Sequence, residues 1–169
     1  MEKIIIYFHG YASSAKTSKV QLLAQAGTTL AWDIDIDPKV SLNALSEDIT
    51  GVLIDRLNEE IKLIFVGTSL GAWYASKMAD LFGATGVLIN PAIDPKKSLA
   101  KYNVSEEIRN NYAVPIEFLK QYKVFIGTRD DVIDFSNTDF GPADVEYVDA
   151  GHRFGAEEFD RVVEYIKKL

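Results

Sequence analysis

Residues 61–79 read IKLIFVGTSLGAWYASKMA, in which a serine between two glycines joins an apolar run to a segment with helical spacing. Positions 61–66 predict a buried strand, and positions 72–79 predict a helix. A strand that ends at Gly-x-Ser-x-Gly and turns directly into a helix is typical of a nucleophile elbow, in which Ser69 has a strained backbone. The motif requires Gly67 and Gly71 because a β-carbon there would collide where strand and helix pass close together.

The composition describes an ordinary globular protein and excludes several classes of function. With 169 residues, 47% hydrophobic and 25% charged, the chain suits a single domain over 1–169. It contains no cysteine, which excludes a disulfide framework, a thiolate zinc site and a thiol nucleophile. The net charge of −7 argues against nucleic-acid binding. No residue pattern implies a metal or another cofactor.

The chain shows no pattern that would place it in or across a membrane. No stretch approaches the roughly 20 apolar residues of a membrane span. The first apolar run is short, ends at His9 and lacks a small-residue cleavage site, so we interpret it as a core strand and not as a signal peptide. We therefore expect a cytoplasmic protein.

Strand and helix patterns alternate along the sequence. Six apolar runs predict strands at 4–8, 29–36, 63–66, 86–89, 123–126 and 145–148. Helical patterns occupy 16–26, 42–57 with Ser41 as the predicted N-cap, and 157–169, in addition to the helix after Ser69. This alternation predicts an α/β fold, with a mostly parallel sheet of about six strands and helices on both faces.

Residues 91–115 are less regular and predict a small cap, or an irregular loop with one or two short helices. Three aromatic residues in and near this segment have two interpretations: they line an acyl pocket, or they pack the segment down. These residues are Tyr102, Tyr112 and Phe118.

Residues with reactive side chains follow the predicted strands. In parallel α/β sheets, ligands bind beyond the carboxyl ends of the strands, so residues at these positions are expected to meet at one edge. They are His9, Ser69, Asp94, Asp130 and His152.

His152 is the predicted general base. A serine hydroxyl becomes a good nucleophile near neutral pH only when a base takes its proton, and histidine is the usual base. The chain has two histidines, and only His152 lies between the last strand and the last helix. The Ser…Asp…His chain order of α/β-hydrolases requires a histidine at that place.

Asp130 is the preferred acid, and Asp94 is its rival. The loop after the strand at 123–126 supplies Asp130, Asp131 and Asp134, while Asp94 follows the neighbouring strand. A buried aspartate would orient the imidazole and stabilise its protonated form during the reaction. We expect Asp131 to be solvated and Asp134 to cap or brace the loop.

Two backbone amides are the predicted donors to an oxyanion. Leu70 follows the serine at a helix N-terminus, and Tyr11 lies in the loop after the first strand. Gly10 lets that loop approach a substrate, and His9 is expected to hold the loop in shape and not to act in chemistry.

With these residues assembled, the chain resembles the short bacterial α/β-hydrolases of the YqiA/YcfP type, a family of small esterases. The matching motifs, in the family's order, are YFHGYASS at 7–14, GTSLG at 67–71, LINPA at 88–92, DDVID at 130–134 and GHRF at 151–154. The resemblance implies a minimal α/β-hydrolase fold that lacks the antiparallel leading strands of larger hydrolases. It also implies that Ser69, Asp130 and His152 form a triad. Residues 135–143 depart from the family, since they are too short and broken for its usual helix between acid and histidine.

The predicted function is hydrolysis of an ester or thioester of a small acyl substrate through an acyl-enzyme. A serine peptidase or acyltransferase would use the same triad. A non-catalytic α/β-hydrolase-like protein that binds a ligand without turning it over is the alternative from another class. The sequence leaves open the acyl chain length, the leaving group and the oligomeric state.

Overall fold

The computed structural model describes all residues from Met1 to Leu169. Its centre is one six-stranded sheet with the order β2-β1-β3-β4-β5-β6, and every pair of neighbouring strands is parallel. The strands are β1 (Glu2–Phe8), β2 (Thr28–Ala31), β3 (Ile61–Thr68), β4 (Thr85–Ile89), β5 (Tyr122–Gly127) and β6 (Asp144–Val148).

Six α-helices and one 3-10 turn connect or follow these strands. The helices are α1 (Ser18–Leu23), α2 (Pro38–Ile54), α3 (Leu70–Phe82), α4 (Pro95–Ser98), α5 (Glu106–Asn110) and α6 (Ala156–Lys168), and the 3-10 turn is Leu99–Tyr102. The longest of them, α2, has 17 residues. None of the helices combines the length and the apolar character needed to cross a membrane.

The helices cover both faces of the sheet because successive strand residues point to opposite sides. In β1, Ile4 and Ile6 belong to one apolar cluster together with residues of α2 and α3, whereas Ile5 belongs to a second cluster with residues of α1 and α6. A strand that is buried on both faces reads as a continuous apolar run, as β1 does. The predicted α/β architecture, a sheet of about six strands with helices on both faces, is thereby confirmed, and the sheet is parallel throughout.

Two boundary predictions are wrong at the connection between β2 and α2. The strand predicted at 29–36 ends at Ala31, and residues 32–36 leave the sheet as a loop whose Ile34 and Ile36 still pack against the core. Helix α2 begins at Pro38, with Asp37 and not Ser41 as its N-cap. Proline suits the first helical position, where an N–H would have no helical partner.

Residues 91–115 contain α4, the 3-10 turn and α5, in agreement with the expectation of short helices. The aromatic residues in and near this segment differ in burial. Tyr112 and Phe118 are buried in the core, whereas Tyr102 is partly exposed and its ring centroid lies 4.9 Å from that of Tyr11. No helix forms at 135–143, as the broken sequence there predicts.

Candidate active site

Ser69 lies in a sharp turn between β3 and α3, at the carboxyl edge of the sheet. Its backbone has φ 55° and ψ −117°, a positive-φ conformation outside the left-handed helical region that residues other than glycine rarely adopt. The Ser69 N–H donates to the carbonyl oxygen of Ile89 in β4 at 2.9 Å, and the Ser69 carbonyl accepts from Ala92 N–H at 3.0 Å. The strained serine is therefore fixed by main-chain hydrogen bonds to the neighbouring strand and its following loop.

The two glycines of the motif allow the backbone to pass close by on both sides of Ser69. A β-carbon on Gly67 would overlap the main chain of Gly71, and one on Gly71 would overlap the carbonyl oxygens of Phe8 and His9. These are contacts with backbone, which cannot rotate away. The Gly-x-Ser-x-Gly pattern thus reflects a close approach of β1, β3 and α3 beneath Ser69.

A chain of hydrogen-bonding distances links Ser69, His152 and Asp130, which are far apart in sequence. The Oγ of Ser69 lies 3.0 Å from Nε2 of His152, and Nδ1 of His152 lies 2.7 Å from Oδ2 of Asp130. A carboxylate can only accept, so Nδ1 carries the proton, and Nε2 is free to accept the serine hydroxyl. The side chain of Asp130 is 2% exposed and that of His152 is 14% exposed, so only the histidine meets the cleft.

The second oxygen of Asp130 is held by its own loop. Its Oδ1 accepts hydrogen bonds from the N–H groups of Val132 and Ile133 at 2.8 and 2.9 Å. This local turn leaves Oδ2 directed at the imidazole.

The other candidate acids do not reach His152. Asp94 forms an ion pair with Lys97 at 3.1 Å at the start of α4. Asp131 is exposed, as expected. Asp134 accepts the N–H of Ser136, which lowers the pKa of its carboxyl group, and so it braces the loop. Of the four carboxylates, the structure brings only Asp130 to the histidine.

Asn90 supports the loop that carries His152, a role that the sequence alone does not predict. Its side chain is fully buried, and Nδ2 donates to the carbonyl oxygens of Gly151 at 3.1 Å and His152 at 2.8 Å. Its Oδ1 accepts the N–H of Gly127 at the end of β5. Its φ of 41° is unusual for a residue with a side chain. The sequence marks Asn90 only as a polar residue directly after a buried strand and as a member of the LINPA motif, since the carbonyl groups it binds lie 61 and 62 positions away.

The amides of Leu70 and Tyr11 donate to no group of the protein, so both are free to bind an oxyanion. The loop with Tyr11 is held by His9: Ile34 N–H donates to Nε2 at 3.0 Å, so Nδ1 donates to the Gly10 carbonyl oxygen at 2.8 Å. Both imidazole nitrogens are thus occupied by the main chain. A β-carbon on Gly10 would lie 3.6 Å from that of Ser69, which shows how closely this loop approaches the serine.

Two cavities adjoin the site and share the loop at Gly10–Ser13. The larger, about 770 Å³, contains Ser69 and His152 and is bordered by Tyr11 and Tyr102. The smaller, about 270 Å³, is also bordered by Tyr11 and has an apolar wall formed by Ile34, Ile36, Leu70 and Tyr74, with Asp35 at its border. The site therefore consists of an open cleft at the serine and a smaller apolar cavity beside it.

The model of the uncharacterised protein family UPF0227 matches residues 4–169. The chain belongs to this family. A UPF0227 protein from Vibrio campbellii is 28% identical over 102 residues, covering 57% of this chain and 55% of the relative. One from Shewanella woodyi is 26% identical over 110 residues, covering 62% and 60%. The UPF0227 chain thus spans little more than half the length of these relatives, and the family resemblance carried by its motifs is confirmed.

Solved structures are similar over almost the whole UPF0227 chain. An esterase of Pyrococcus furiosus gives a TM-score of 0.69 at 20% identity, covering 99% of this chain and 83% of the esterase. The mouse α/β-hydrolase domain-containing protein 10 gives 0.66 at 15% identity, with 98% and 88% covered. The type II thioesterase of the borrelidin biosynthetic cluster gives 0.61 at 16% identity, with 99% and 91% covered. These likenesses show the α/β-hydrolase fold.

Proposed function

We propose that this protein is a serine hydrolase that cleaves a carboxylic ester or thioester of a small acyl substrate. The observation that carries the proposal is the pair of distances that joins Asp130 to His152 and His152 to Ser69. The free amides of Leu70 and Tyr11 support it, because acyl transfer needs donors for the oxyanion.

In the first half of the reaction, Ser69 Oγ attacks the carbonyl carbon and its proton passes to Nε2 of His152. The amides of Leu70 and Tyr11 bind the negatively charged oxygen of the tetrahedral intermediate. The buried carboxylate of Asp130 stabilises the positive imidazolium. His152 then gives the proton to the leaving oxygen or sulfur, the bond to the carbonyl carbon breaks, and the acyl group stays on Ser69.

In the second half, water replaces the alcohol or thiol. His152 takes a proton from the water as its oxygen attacks the acyl-serine, and the same two amides bind the new oxyanion. When the intermediate collapses, the proton returns to Ser69 Oγ and the carboxylic acid leaves. The two halves together consume one ester or thioester and one water, and they yield one acid and one alcohol or thiol.

The smaller cavity favours a substrate with a short acyl group. Its apolar wall includes Leu70, whose amide is a proposed oxyanion donor, and it opens beside Tyr11, which bears the other donor. An acyl chain bound with its carbonyl oxygen between these amides would therefore extend along the apolar wall of this cavity of about 270 Å³. An esterase and a thioesterase of the same fold fit this proposal.

The test is the hydrolysis of a panel of p-nitrophenyl esters and acyl thioesters of increasing chain length. We expect turnover of short chains, and a Ser69→Ala variant should lose roughly six orders of magnitude in kcat. Its urea unfolding curve should match that of the parent, because Ser69 Oγ bonds only to His152. Near-normal turnover by correctly folded Ser69→Ala protein would refute the proposal.

A further inference from the structure

The cleft at Ser69 is polarised between an apolar side and a cationic side. The apolar cavity is formed by residues that pack with the cluster of α2 and α3. The other side carries Lys19 of α1, which lies over Phe159 of the cluster on the other face of the sheet, and Arg153, the residue directly after His152. Both cations line the same 770 Å³ space as the serine.

Neither cation has an anionic partner in the protein. No carboxylate lies within salt-bridge distance of Lys19 or Arg153, although acidic residues outnumber basic ones in the chain by 25 to 18. The side chains of Lys19 and Arg153 also donate no hydrogen bond, and the Lys19 ammonium lies 5.8 Å from the centre of the Phe159 ring. The one exposed carboxylate that borders the cleft, Asp131, pairs with neither of them.

The two positive charges also affect one another. Burial, and to a smaller extent the charge of Arg153, hold the pKa of Lys19 below its ordinary value. Two neighbouring cations without a counter-ion in a partly desolvated cleft are unfavourable for the empty protein, and a bound anion removes this repulsion. Such arrangements of perturbed charges are typical of functional sites.

We propose that Lys19 and Arg153 form an anion subsite for a carboxylate or phosphate group on the substrate. The proposal rests on the proposed function and names its substrate class: a short acyl ester or thioester whose alcohol or thiol part is anionic. The acyl chain occupies the apolar side, so the leaving group faces the cationic side. Arg153 offers a planar fork of donors that suits carboxylate or phosphate, and Lys19 adds a point charge.

The test compares kcat/KM for three esters of similar size. One is neutral, p-nitrophenyl butyrate. The second has a carboxylate on its leaving group, 3-carboxy-4-nitrophenyl butyrate, and the third has a carboxylate on its acyl group, mono-p-nitrophenyl glutarate. Each kcat/KM is divided by the rate constant for alkaline hydrolysis of the same ester. We expect the corrected kcat/KM of the second ester to exceed that of the neutral ester by about 10-fold, since hydrogen bonds to charged groups are among the strong ones. The advantage should decrease as salt is added.

Variants assign the effect to the two cations. Lys19→Met and Arg153→Met keep most of the side-chain bulk. Each should reduce the ratio of kcat/KM for the second ester to kcat/KM for the neutral ester several-fold. The double variant should abolish the preference for the second ester. Lys39→Met is the matched control, because Lys39 is exposed on α2 and does not border the cleft. It should leave the ratio unchanged.

The outcomes separate the two proposals. Ser69-dependent hydrolysis of all three esters without charge preference, or with a preference for the acyl carboxylate alone, would overturn the anion subsite and leave the hydrolase intact. A preference that survives in the double variant would also overturn it. Failure of every ester to be hydrolysed in a Ser69-dependent way would overturn the proposed function and the subsite with it.

Discussion

The serine side and the histidine side of the candidate active site are held in place by different forces. On the serine side, β1, β3 and α3 approach so closely that Gly67 and Gly71 have no room for a side chain. On the histidine side, side chains hold the loops: Asp130 accepts two amides of its own turn, and Asn90 donates to two carbonyl groups of the loop with His152.

This difference predicts that substitutions on the two sides have different effects, one on folding and the other on the orientation of His152. The serine side depends on backbone packing, so an added side chain at Gly67 or Gly71 should be costly for folding. The histidine side depends on individual hydrogen bonds at the carboxyl end of the sheet, so changes there should leave the fold and misdirect the imidazole. Three substitutions, each with a matched control, test this division.

The largest effect is expected at the acid. Asp130→Asn keeps an oxygen for the amides of Val132 and Ile133, but it turns an N–H group toward His152 and favours the wrong tautomer. We expect kcat on a short ester to fall by about 10⁴-fold, as in other serine triads, with the unfolding midpoint almost unchanged. Asp94→Asn is the control and should stay within about twofold. The reverse pattern would assign the acid to Asp94.

The second effect concerns the packing of the serine side. Gly71→Ala places a β-carbon against the carbonyl oxygens of Phe8 and His9, and it should lower the free energy of unfolding by about 3 kcal/mol. The control is Gly51→Ala in α2, where a β-carbon meets nothing within 4 Å. That change should raise the free energy of unfolding by up to about 1 kcal/mol. Urea unfolding of both variants measures the contrast, and equal stabilities would show that the close approach is absent.

The smallest effect is expected at Asn90. Asn90→Asp keeps the shape of the side chain but replaces the donor to the carbonyls of Gly151 and His152 with an acceptor. We expect kcat to fall by up to about 100-fold, the scale of a small misplacement of a reacting group, with KM nearly unchanged.

Asn103→Asp is the matched control for that substitution. Asn103 also has a positive φ, 58°, but it is exposed and its side chain forms no hydrogen bond within the protein. It should have parental kinetics. An Asn90→Asp protein with parental kcat, or with a raised KM alone, would contradict a role in orienting His152.

The same division explains what the sequence could predict. The elbow is encoded by neighbouring residues, so Gly67, Ser69 and Gly71 can be recognised as a motif. His152 and Asp130 are identified by their order after strands, which is a property of the α/β topology. The role of Asn90 depends on partners that are adjacent only after β4 and β5 pair, and no local pattern carries that information.

The error at β2 has a similar cause. The alternation of apolar residues through Ile34 and Ile36 reads as a strand, and both residues are indeed packed against the core. They are packed as a loop because Ile34 N–H donates to His9 and not to a neighbouring strand. The hydrogen bond to His9, which lies 25 positions away at the loop beside Ser69, thus outweighs the local preference for a strand.

The most direct test of the account is covalent labelling of the native protein with a fluorophosphonate, read by intact mass and peptide mapping. An activated serine reacts with this probe, whereas an ordinary hydroxyl does not. We predict a single adduct on Ser69, its loss in Ser69→Ala, and strongly slowed labelling in His152→Ala, which removes the base. A native protein that stays unlabelled, as a ligand-binding protein without turnover would, or an adduct that persists in Ser69→Ala, would contradict the account.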